Sequence, residues 1–400
     1  MNKLILTQEQ KQALNAGFEK TFGGQPARYF SAPGRTELSG NHTDHQHGRV
    51  LAGAVNLDML AAVRTNGTQT IRILSQGYPM SEVDLGDLTP KKEEINSTPA
   101  LIRGVAARFV QLGCKVEGFD AYMESTVLPG SGLSSSAAYE VLIGTIINHL
   151  FFDGKISQPE IAMIGQYAEN VFFGKPCGLM DQMASAVGGM VTIDFADKEN
   201  PVIEPVDFDF AACGHALCII DTRASHADLT DEYAAITQEL KKICRHFGKQ
   251  VLRQIDEEDF YAAIPELRKK CGDRAVMRAI HFYRENARVP LQVAALRAGD
   301  FEAYLKLMNE SGYSSYMNLQ NVIPTGYTKQ QDVAVTLALC HQYLAGRGGY
   351  RVHGGGFAGT VQAFVPFDIL EDFRKGIDSV LGEGACHVLS IRPHGGVEAQ

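Results

Sequence analysis

Apolar side chains recur every three or four residues in several segments of the chain, which is the spacing of one face of an α-helix. Residues 7–22 and 157–173 combine this spacing with a Ser or Thr followed three residues later by Gln or Glu, the pattern of a capping box. Residues 233–247 form a third amphipathic segment. Further helices are predicted at residues 137–150, 179–187, 275–296, 301–311 and 367–381, and Pro290 is expected to interrupt the third of these.

Alternating or short apolar segments predict β-strands between these helices. They cover residues 50–63, 70–74, 121–127, 215–221, 361–365 and 386–391. We therefore expect an α+β protein. The length of 400 residues exceeds the roughly 250–300 residues that one hydrophobic core usually supports, which favours two domains. Gly188 and Gly189 precede a hairpin-like region, so a domain boundary is predicted close to residue 190.

The composition narrows the class of protein. A net charge of −9 argues against general affinity for nucleic acid or for an anionic membrane. The longest apolar runs are far shorter than the roughly 20 residues of a membrane span, and the polar N-terminus does not resemble a signal peptide. Eight cysteines without a Cys-x-x-Cys pair are typical of reduced thiols, so a cytoplasmic enzyme is expected.

A stretch rich in glycine and serine lies between the strand at 121–127 and the helix at 137–150. Glycines allow close approach of the backbone to a ligand, and amides at a helix N-terminus attract anions. We interpret the stretch as a cradle for nucleotide phosphates, with one serine hydroxyl available to magnesium. The alternative is an ordinary helix capped by serine. The candidate residues are Gly130, Ser131, Gly132, Leu133, Ser134, Ser135 and Ser136.

A second polar stretch covers residues 32–48 and lies between apolar segments, as expected of a functional loop on a rigid scaffold. Its residues His42, Asp44, His45 and His47 could suggest a zinc site, because imidazole and carboxylate suit that metal. Their spacing is too tight for all four to converge. Hydrogen bonding to a polyol and a solvated loop are the other two interpretations.

Two acidic residues and one tyrosine are the remaining candidate residues of a functional site. Glu169 lies near the C-terminal end of its predicted helix, as a solvated residue or as a magnesium ligand facing the serines. Asp181 lies in the first turn of the next helix, where the helix dipole stabilises an ionised carboxylate. It is either a plain N-terminal acid or a general base in a closed pocket. Tyr233 either belongs to the core or points its hydroxyl into the site.

Three motifs in order, at residues 32–48, 129–138 and 354–359, resemble those of the GHMP kinase superfamily. Within it, the chain is most similar to the galactokinase family. Pro33-Gly34-Arg35 and His42-Thr43-Asp44 resemble the sugar-binding signature of that family, and residues 168–182 resemble its catalytic segment. Further similarities lie at His226 with Glu232-Tyr233, at residues 285–288 and at residues 307–311.

The resemblance implies a two-domain fold with the active site in the cleft, an N-terminal domain at residues 1–190 and a C-terminal domain at residues 191–400. It implies a sugar 1-kinase that uses ATP and Mg²⁺, most closely galactokinase. Asp181 would take the proton of the anomeric hydroxyl, and Arg35 would hold Asp181 ionised and neutralise the transferring phosphoryl group. Ser136 and Glu169 would bind magnesium. The sugar hydroxyls would contact Asn41, His42, Asp44, Gly178 and Tyr233.

The chain also departs from the family pattern. Galactokinases usually carry glutamate at the position of Asn41 and asparagine at that of Glu37, and their acidic version of residues 312–324 is missing. His353 replaces a small residue. These differences suggest a sister kinase acting on galactosamine, N-acetylgalactosamine, arabinose or a uronic acid as one alternative. A catalytically inactive sugar sensor is another, against which the retained Arg35 and Asp181 argue. The oligomeric state is left open.

Overall fold

The computed structural model describes residues 4–127, 132–175, 177–224 and 229–400. The helices in these ranges are α1 Gln8–Phe22, α2 Thr98–Gln111, α3 Ser135–Phe151, α4 Gln158–Tyr167, α5 Met180–Val187, α6 Thr230–His246, α7 Glu257–Cys271, α8 Asp273–Arg297, α9 Phe301–Ser314, α10 Asp332–Leu344 and α11 Leu370–Leu381. The strands are β1 Arg28–Ser39, β2 Arg49–Thr65, β3 Thr70–Ser75, β4 Ser81–Asp84, β5 Phe119–Ser125, β6 Met190–Asp194, β7 Val202–Pro205, β8 His215–Asp221, β9 Gly349–His353, β10 Thr360–Pro366, β11 Cys386–Leu389 and β12 Val397–Ala399. The predicted α+β class is confirmed.

The helix starts that the sequence indicated most clearly are present. At α1 the Thr7 hydroxyl accepts from the Gln10 amide at 3.1 Å, and the Gln10 side chain accepts from the Thr7 amide at 2.9 Å. The same reciprocal pair begins α4 at Ser157 and Glu160. After α4 the helix widens into a π-helical turn at Ala168–Phe173. Such turns are frequent at functional sites, and this one carries Glu169.

The first sheet has the strand order β12-β1-β2-β5-β3-β4, with β6 paired to β2 and β7 paired to β6. Helices α2, α3, α4 and α5 contribute to its main core, in which Phe109, Phe119 and Ile143 are fully buried. Helix α1 packs elsewhere on the sheet, where Leu14 and Phe18 form a smaller cluster with strand residues. The sheet is mostly antiparallel, and the β3–β5 pair is parallel.

The second sheet has the strand order β11-β8-β10-β9. One cluster joins it to α10 and α11 through Cys340, Val361 and Phe373. Another cluster contains Phe364 of this sheet, residues of α8 and α9, and Leu38 of the first sheet. The two sheets therefore share buried apolar contacts, and β1 lies at their junction.

Strand β1 differs from the sequence expectation, because residues 32–39 were predicted to lie in a loop. They form a strand whose pairing with β2 shifts register between Pro33 and Arg35 and again between Glu37 and Ser39. Irregularities of this kind turn side chains into new directions. The proline and glycine in this stretch are typical of turns, so the sequence did not indicate a strand. The polar side chains of the strand make their hydrogen bonds inside the protein rather than to water.

Strands from beyond residue 190 complete the first sheet. Gly53 of β2 pairs with Met190 of β6, and Tyr29 of β1 pairs with Ala399 of β12. The domain boundary at residue 190 stays a prediction, but the N-terminal sheet includes strands on both sides of it. None of the helices in the described ranges combines the length and apolarity that crossing a bilayer requires.

The predicted interruption at Pro290 is wrong. Helix α8 runs without a break from Asp273 to Arg297. Val289 and Val293, on either side of the proline, are buried in one core cluster. Burial of this face stabilises the helix enough to offset the hydrogen bond that the proline removes.

Candidate active site

Arg35 of β1 and Asp181 of α5 meet although they are far apart in the sequence. Arg35 Nε donates to Asp181 Oδ1 at 2.7 Å. The Ser185 hydroxyl, one turn further along α5, donates to the Pro33 carbonyl at 2.7 Å and so fastens the helix to the strand. The Arg35 guanidinium also donates to the Gly132 carbonyl, and the Arg35 amide donates to the Leu133 carbonyl at 3.0 Å.

Asp181 lies in an environment that favours its charged form. Burial raises the pKa of Asp181, but the Arg35 guanidinium and the Ser134 hydroxyl lower it by more than burial raises it. The pKa of Asp181 therefore lies below its usual value. Ser134 Oγ donates to Asp181 Oδ2 at 2.6 Å. The Asp181 side chain keeps 33% of its surface exposed, whereas that of Arg35 keeps 6%. Asp181 is therefore an ionised carboxylate that a ligand can reach.

The glycine- and serine-rich stretch ends at the N-terminus of α3. Its residues Gly130 and Ser131 lie outside the described residues. Gly132 has φ +69°, and a Cβ there would lie 2.6 Å from Thr360 Oγ1, so the loop packs against the second sheet. Ser134 has φ +57° and uses its hydroxyl on Asp181 rather than on the helix N-terminus. The amides that begin α3 thus have no side-chain cap from Ser134, as expected of an anion site.

Ser136 and Glu169 also come together. Ser136 Oγ lies 3.4 Å from Glu169 Oε1, and Glu169 is almost fully buried. Gln182, beside Asp181 on α5, donates from Nε2 to Glu169 Oε2 at 2.8 Å and to Glu140 Oε2 at 3.0 Å. The first turn of α5 therefore carries Asp181, the candidate base, and fixes the position of Glu169, the candidate magnesium ligand, through Gln182.

Sequence reasoning missed Glu140. This side chain of α3 is fully buried, and its Oε1 has no hydrogen-bond partner among the described residues. Burial, and secondarily the nearby Glu169, raises the pKa of Glu140 well above its usual value. No charged residue lies close to Glu140 along the chain, so the sequence did not indicate this position. From the sequence, Glu140 therefore looked like an ordinary glutamate on the surface of a helix.

The pair Ser136 and Glu169 fits a magnesium ion. Hydroxyl and carboxylate oxygens are hard ligands, and Mg²⁺ commonly takes one or two protein ligands with nucleotide phosphates and water in the remaining positions. Across the described ranges, no group of three or more His, Cys, Asp and Glu side chains could hold a metal by itself. That finding includes His42, Asp44, His45 and His47, for which zinc was an alternative.

The loop after β1 faces the glycine segment at residues 354–359. His42 has φ +60°, and its Nε2 lies 2.9 Å from the Gly355 carbonyl. Burial lowers the pKa of His42 to about 3, which leaves the imidazole neutral at physiological pH. The Tyr233 hydroxyl donates to the Gly356 carbonyl at 2.8 Å. Both side chains therefore contact the same glycine segment.

Asp44 is held against Gly178, which lies just before α5. A Cβ built on Gly178 would lie 1.7 Å from Asp44 Oδ2. The close approach requires glycine, and it brings the loop after β1 against a residue that lies three positions before Asp181. The resemblance implied that Asp44 and Gly178 both contact the sugar, which stays a prediction, and the structure places the two residues in contact with each other.

Gly178→Ala is expected to raise the KM for the sugar by about 10–100-fold, the effect of losing a charge-assisted hydrogen bond, because the new methyl group must displace Asp44. Initial rates at saturating MgATP measure it. Gly86→Ala is the matched control, since a methyl group there comes no closer than 3.3 Å to Asp84. An unchanged KM in Gly178→Ala would contradict the sugar contact that the family resemblance implies for Asp44.

Asn41 is fully buried and makes its hydrogen bonds inside the protein. Its Nδ2 donates to Glu37 Oε1 at 3.0 Å and to the Gly354 carbonyl at 2.7 Å. Its Oδ1 accepts from Asn321 at 2.9 Å and from Ser315 at 3.2 Å. Asn41 thus connects β1, the glycine segment and residues 312–324, which is the arrangement of a positioning residue.

Glu37 belongs to a buried ionic group. Its carboxylate pairs with Arg351 of β9, whose side chain is completely buried. Arg351 also donates to the Ser311 hydroxyl at 3.1 Å, and Ser311 donates to Glu285 at 2.7 Å. His353 Nε2 accepts from the Glu37 amide at 3.1 Å. These contacts fasten the strand that carries Arg35 to the second sheet.

Arg351→Met is expected to destabilise the protein by about 3–5 kcal/mol, because it leaves the Glu37 carboxylate buried without its cation. Urea unfolding measures the change. The double variant Glu37→Gln/Arg351→Met should recover part of the loss. Arg347→Met, which breaks the exposed pair with Asp368, should cost no more than about 1 kcal/mol. Equal losses in Arg351→Met and Arg347→Met would show that the buried pair has no special role.

Comparison with known proteins identifies the family. Residues 16–65 match the galactokinase galactose-binding signature, and residues 100–189 match the GHMP kinases N terminal domain. A crystal structure of mevalonate kinase has the same fold, with a TM-score of 0.63 at 15% identity over 92% of this chain and 100% of that chain. The fold is that of the GHMP kinases, as the motifs indicated.

The similarity to galactokinases is closer. The galactokinase of Glaesserella parasuis serovar 5 (strain SH0165) is 33% identical over 366 residues, which cover 90% of each protein. That of Streptomyces coelicolor (strain ATCC BAA-471 / A3(2) / M145) is 32% identical, again over 90% of each. Lactococcus lactis galactokinase, crystallised with galactose, superposes with a TM-score of 0.82 at 25% identity over 97% of this chain and 99% of that chain. The chain belongs to the galactokinase family.

Proposed function

We propose that the protein transfers the γ-phosphoryl group of ATP to the anomeric hydroxyl of galactose, giving α-galactose 1-phosphate and ADP. The observation that carries this proposal is the contact of Arg35 with the ionised Asp181, beside the N-terminus of α3 and the pair Ser136 and Glu169. Phosphoryl transfer depends mainly on positioning and charge neutralisation, and this arrangement offers both.

Asp181 would accept the hydrogen bond of the sugar C1 hydroxyl and take its proton as the oxygen attacks phosphorus. Arg35 keeps Asp181 ionised and adds positive charge where the phosphoryl group passes. The amides at the start of α3, together with Gly130 and Ser131, would hold the nucleotide phosphates. A magnesium ion at Ser136 and Glu169 would supply further neutralisation of the phosphates.

The sugar would lie between the loop after β1 and the glycine segment. Its hydroxyls would contact His42, Asp44, Gly178 and Tyr233, of which His42 and Tyr233 lie against the glycine segment and Asp44 lies against Gly178. Asn41 is assigned a positioning role, because both ends of its amide are engaged by the protein. This assignment differs from the direct sugar contact that the resemblance implied for Asn41.

A sister sugar 1-kinase is the second candidate. It is favoured by one observation: the neutral Asn41 is bonded to Ser315 and Asn321, both in the segment where the chain departs from its family. Asn41 has a neutral amide where the family usually has the carboxylate of glutamate. A change of charge at this junction can alter which sugar the site accepts. The intact contact between Arg35 and Asp181 speaks against the inactive sugar sensor.

The test is ADP release with a panel of galactose, galactosamine, N-acetylgalactosamine, arabinose and galacturonic acid. Galactose is expected to give the highest kcat/KM. A higher kcat/KM with another sugar would favour the sister kinase, and no ATP turnover on any of them would overturn the proposal. We also propose a cytoplasmic location, which the eight free cysteine thiols support.

A further inference from the structure

Lys175 lies in the connection between the π-helical turn and α5, next to the candidate metal ligands. Its Nζ is 3.4 Å from Glu169 Oε1. The Lys175 side chain is 62% exposed, whereas that of Glu169 is 3% exposed. The two partners therefore differ in freedom: the ammonium group is at the end of a flexible stem in solvent, and the carboxylate is held inside the protein.

The oxygen that Lys175 contacts is the one that faces Ser136. Ser136 Oγ and Lys175 Nζ each lie 3.4 Å from Glu169 Oε1. The other oxygen of Glu169 is engaged by Gln182 at 2.8 Å. An ammonium group on Oε1 occupies the side of the carboxylate that a magnesium ion bound by Ser136 and Glu169 would need. Like charges repel, so the metal and the Lys175 ammonium compete for Glu169.

The exposed partner is the one that can leave. Removing the ammonium alone would leave the buried Glu169 carboxylate without a cation, but a magnesium ion bound there would supply that positive charge, so the exposed Lys175 can leave in exchange for the metal. Glu169 stays in place because Gln182 holds it, and Gln182 is in turn engaged by the buried Glu140. Lys175 also lies near enough to Asp181 to help lower the pKa of that carboxyl. It therefore lies in reach of both the metal candidate and the candidate base.

We propose that Lys175 is a substrate-contacting cation, which rests on Glu169 when no nucleotide is bound and moves to the ATP phosphates when magnesium takes its place. This inference rests on the proposed function. MgATP brings a net negative charge into the site. The Arg35 guanidinium there already donates hydrogen bonds to Asp181 and to the Gly132 carbonyl. A second cation beside the phosphates stabilises the charge that spreads over the transferring group.

The test compares Lys175→Met with Lys175→Arg. Lys175→Met is expected to lower kcat/KM for MgATP by about 10–100-fold, less than the roughly 100–1,000-fold loss for a rigidly held donor because the Lys175 stem is flexible, while Lys175→Arg retains most of it. Lys155→Met is the matched control, because Lys155 is another exposed lysine that pairs with a carboxylate, Asp153, at 3.2 Å. Less than a twofold change in Lys175→Met would overturn the proposal.

A second measurement does not depend on turnover. Binding of Mn²⁺ alone, followed by electron paramagnetic resonance, is expected to be several-fold tighter in Lys175→Met than in the wild type, since no ammonium then competes for Glu169. Unchanged or weaker Mn²⁺ binding would overturn the displacement of Lys175 by the metal. If the wild type turned over no sugar, the proposed function would fail, whereas the Mn²⁺ comparison would still decide the competition at Glu169.

Discussion

Asp181→Asn is expected to lower kcat by about 10²–10⁴-fold, the usual contribution of a general base, while the affinity for MgATP changes little. The amide has the shape of the carboxylate but cannot take the proton of the sugar hydroxyl. Steady-state kinetics with galactose, together with equilibrium binding of a non-hydrolysable ATP analogue, separate the two effects. The Ser134 hydroxyl donates to Asp181, but the phosphate donors expected at the start of α3 are backbone amides, which do not require the charge of Asp181.

Asp368→Asn is the control for this substitution. Asp368 pairs with Arg347 at 2.7 Å, the same separation as in the contact of Asp181 with Arg35, but the pair is exposed and lies outside the site. It should keep a near-normal kcat. A near-normal kcat in Asp181→Asn would show that Asp181 is not the base.

Arg35→Met is expected to lower kcat by about 10²–10³-fold, as found when one preorganised donor to a developing charge is removed. It should also change the pH dependence. Burial raises the pKa of Asp181, and Arg35 is the first of the groups that lower it. Without Arg35 the pKa of Asp181 rises. The active form is the ionised carboxylate, so the acidic limb of the pH profile of kcat should move to higher pH.

Arg35→Lys retains the charge and should show a smaller shift of the acidic limb than Arg35→Met. Arg347→Met removes an exposed arginine paired with an aspartate and should leave the profile in place. A pH profile of Arg35→Met that coincides with that of the wild type would contradict the electrostatic link between Arg35 and Asp181.

The sequence was most informative where short-range rules act. The capping boxes at Thr7 and Ser157 predicted helix starts because the bonds join residues three positions apart. The resemblance to the galactokinase family implied that Arg35 lies beside Asp181, and the structure brings the two side chains into contact.

Long-range pairing was hidden from the sequence. Residues 32–39 contain proline, glycine and polar residues and so were predicted as a loop, yet contacts with distant residues make them a buried strand. Glu37 finds Arg351, and Asn41 finds Asn321, only after folding. Glu140 was missed for the same reason, because a buried carboxylate has no local signal when its neighbours in sequence are apolar.

The pairing of β12 with β1 has a consequence for synthesis on the ribosome. Tyr29 leaves the exit tunnel long before Ala399, its partner, has been made. Backbone hydrogen bonds from Leu6 to Gln400 and from Gln400 to Leu4 add to this late contact. The edge of β1 that faces β12 therefore stays unpaired until almost all of residues 29–399 have been made, and an unpaired strand edge of this kind is a site where chains can associate wrongly.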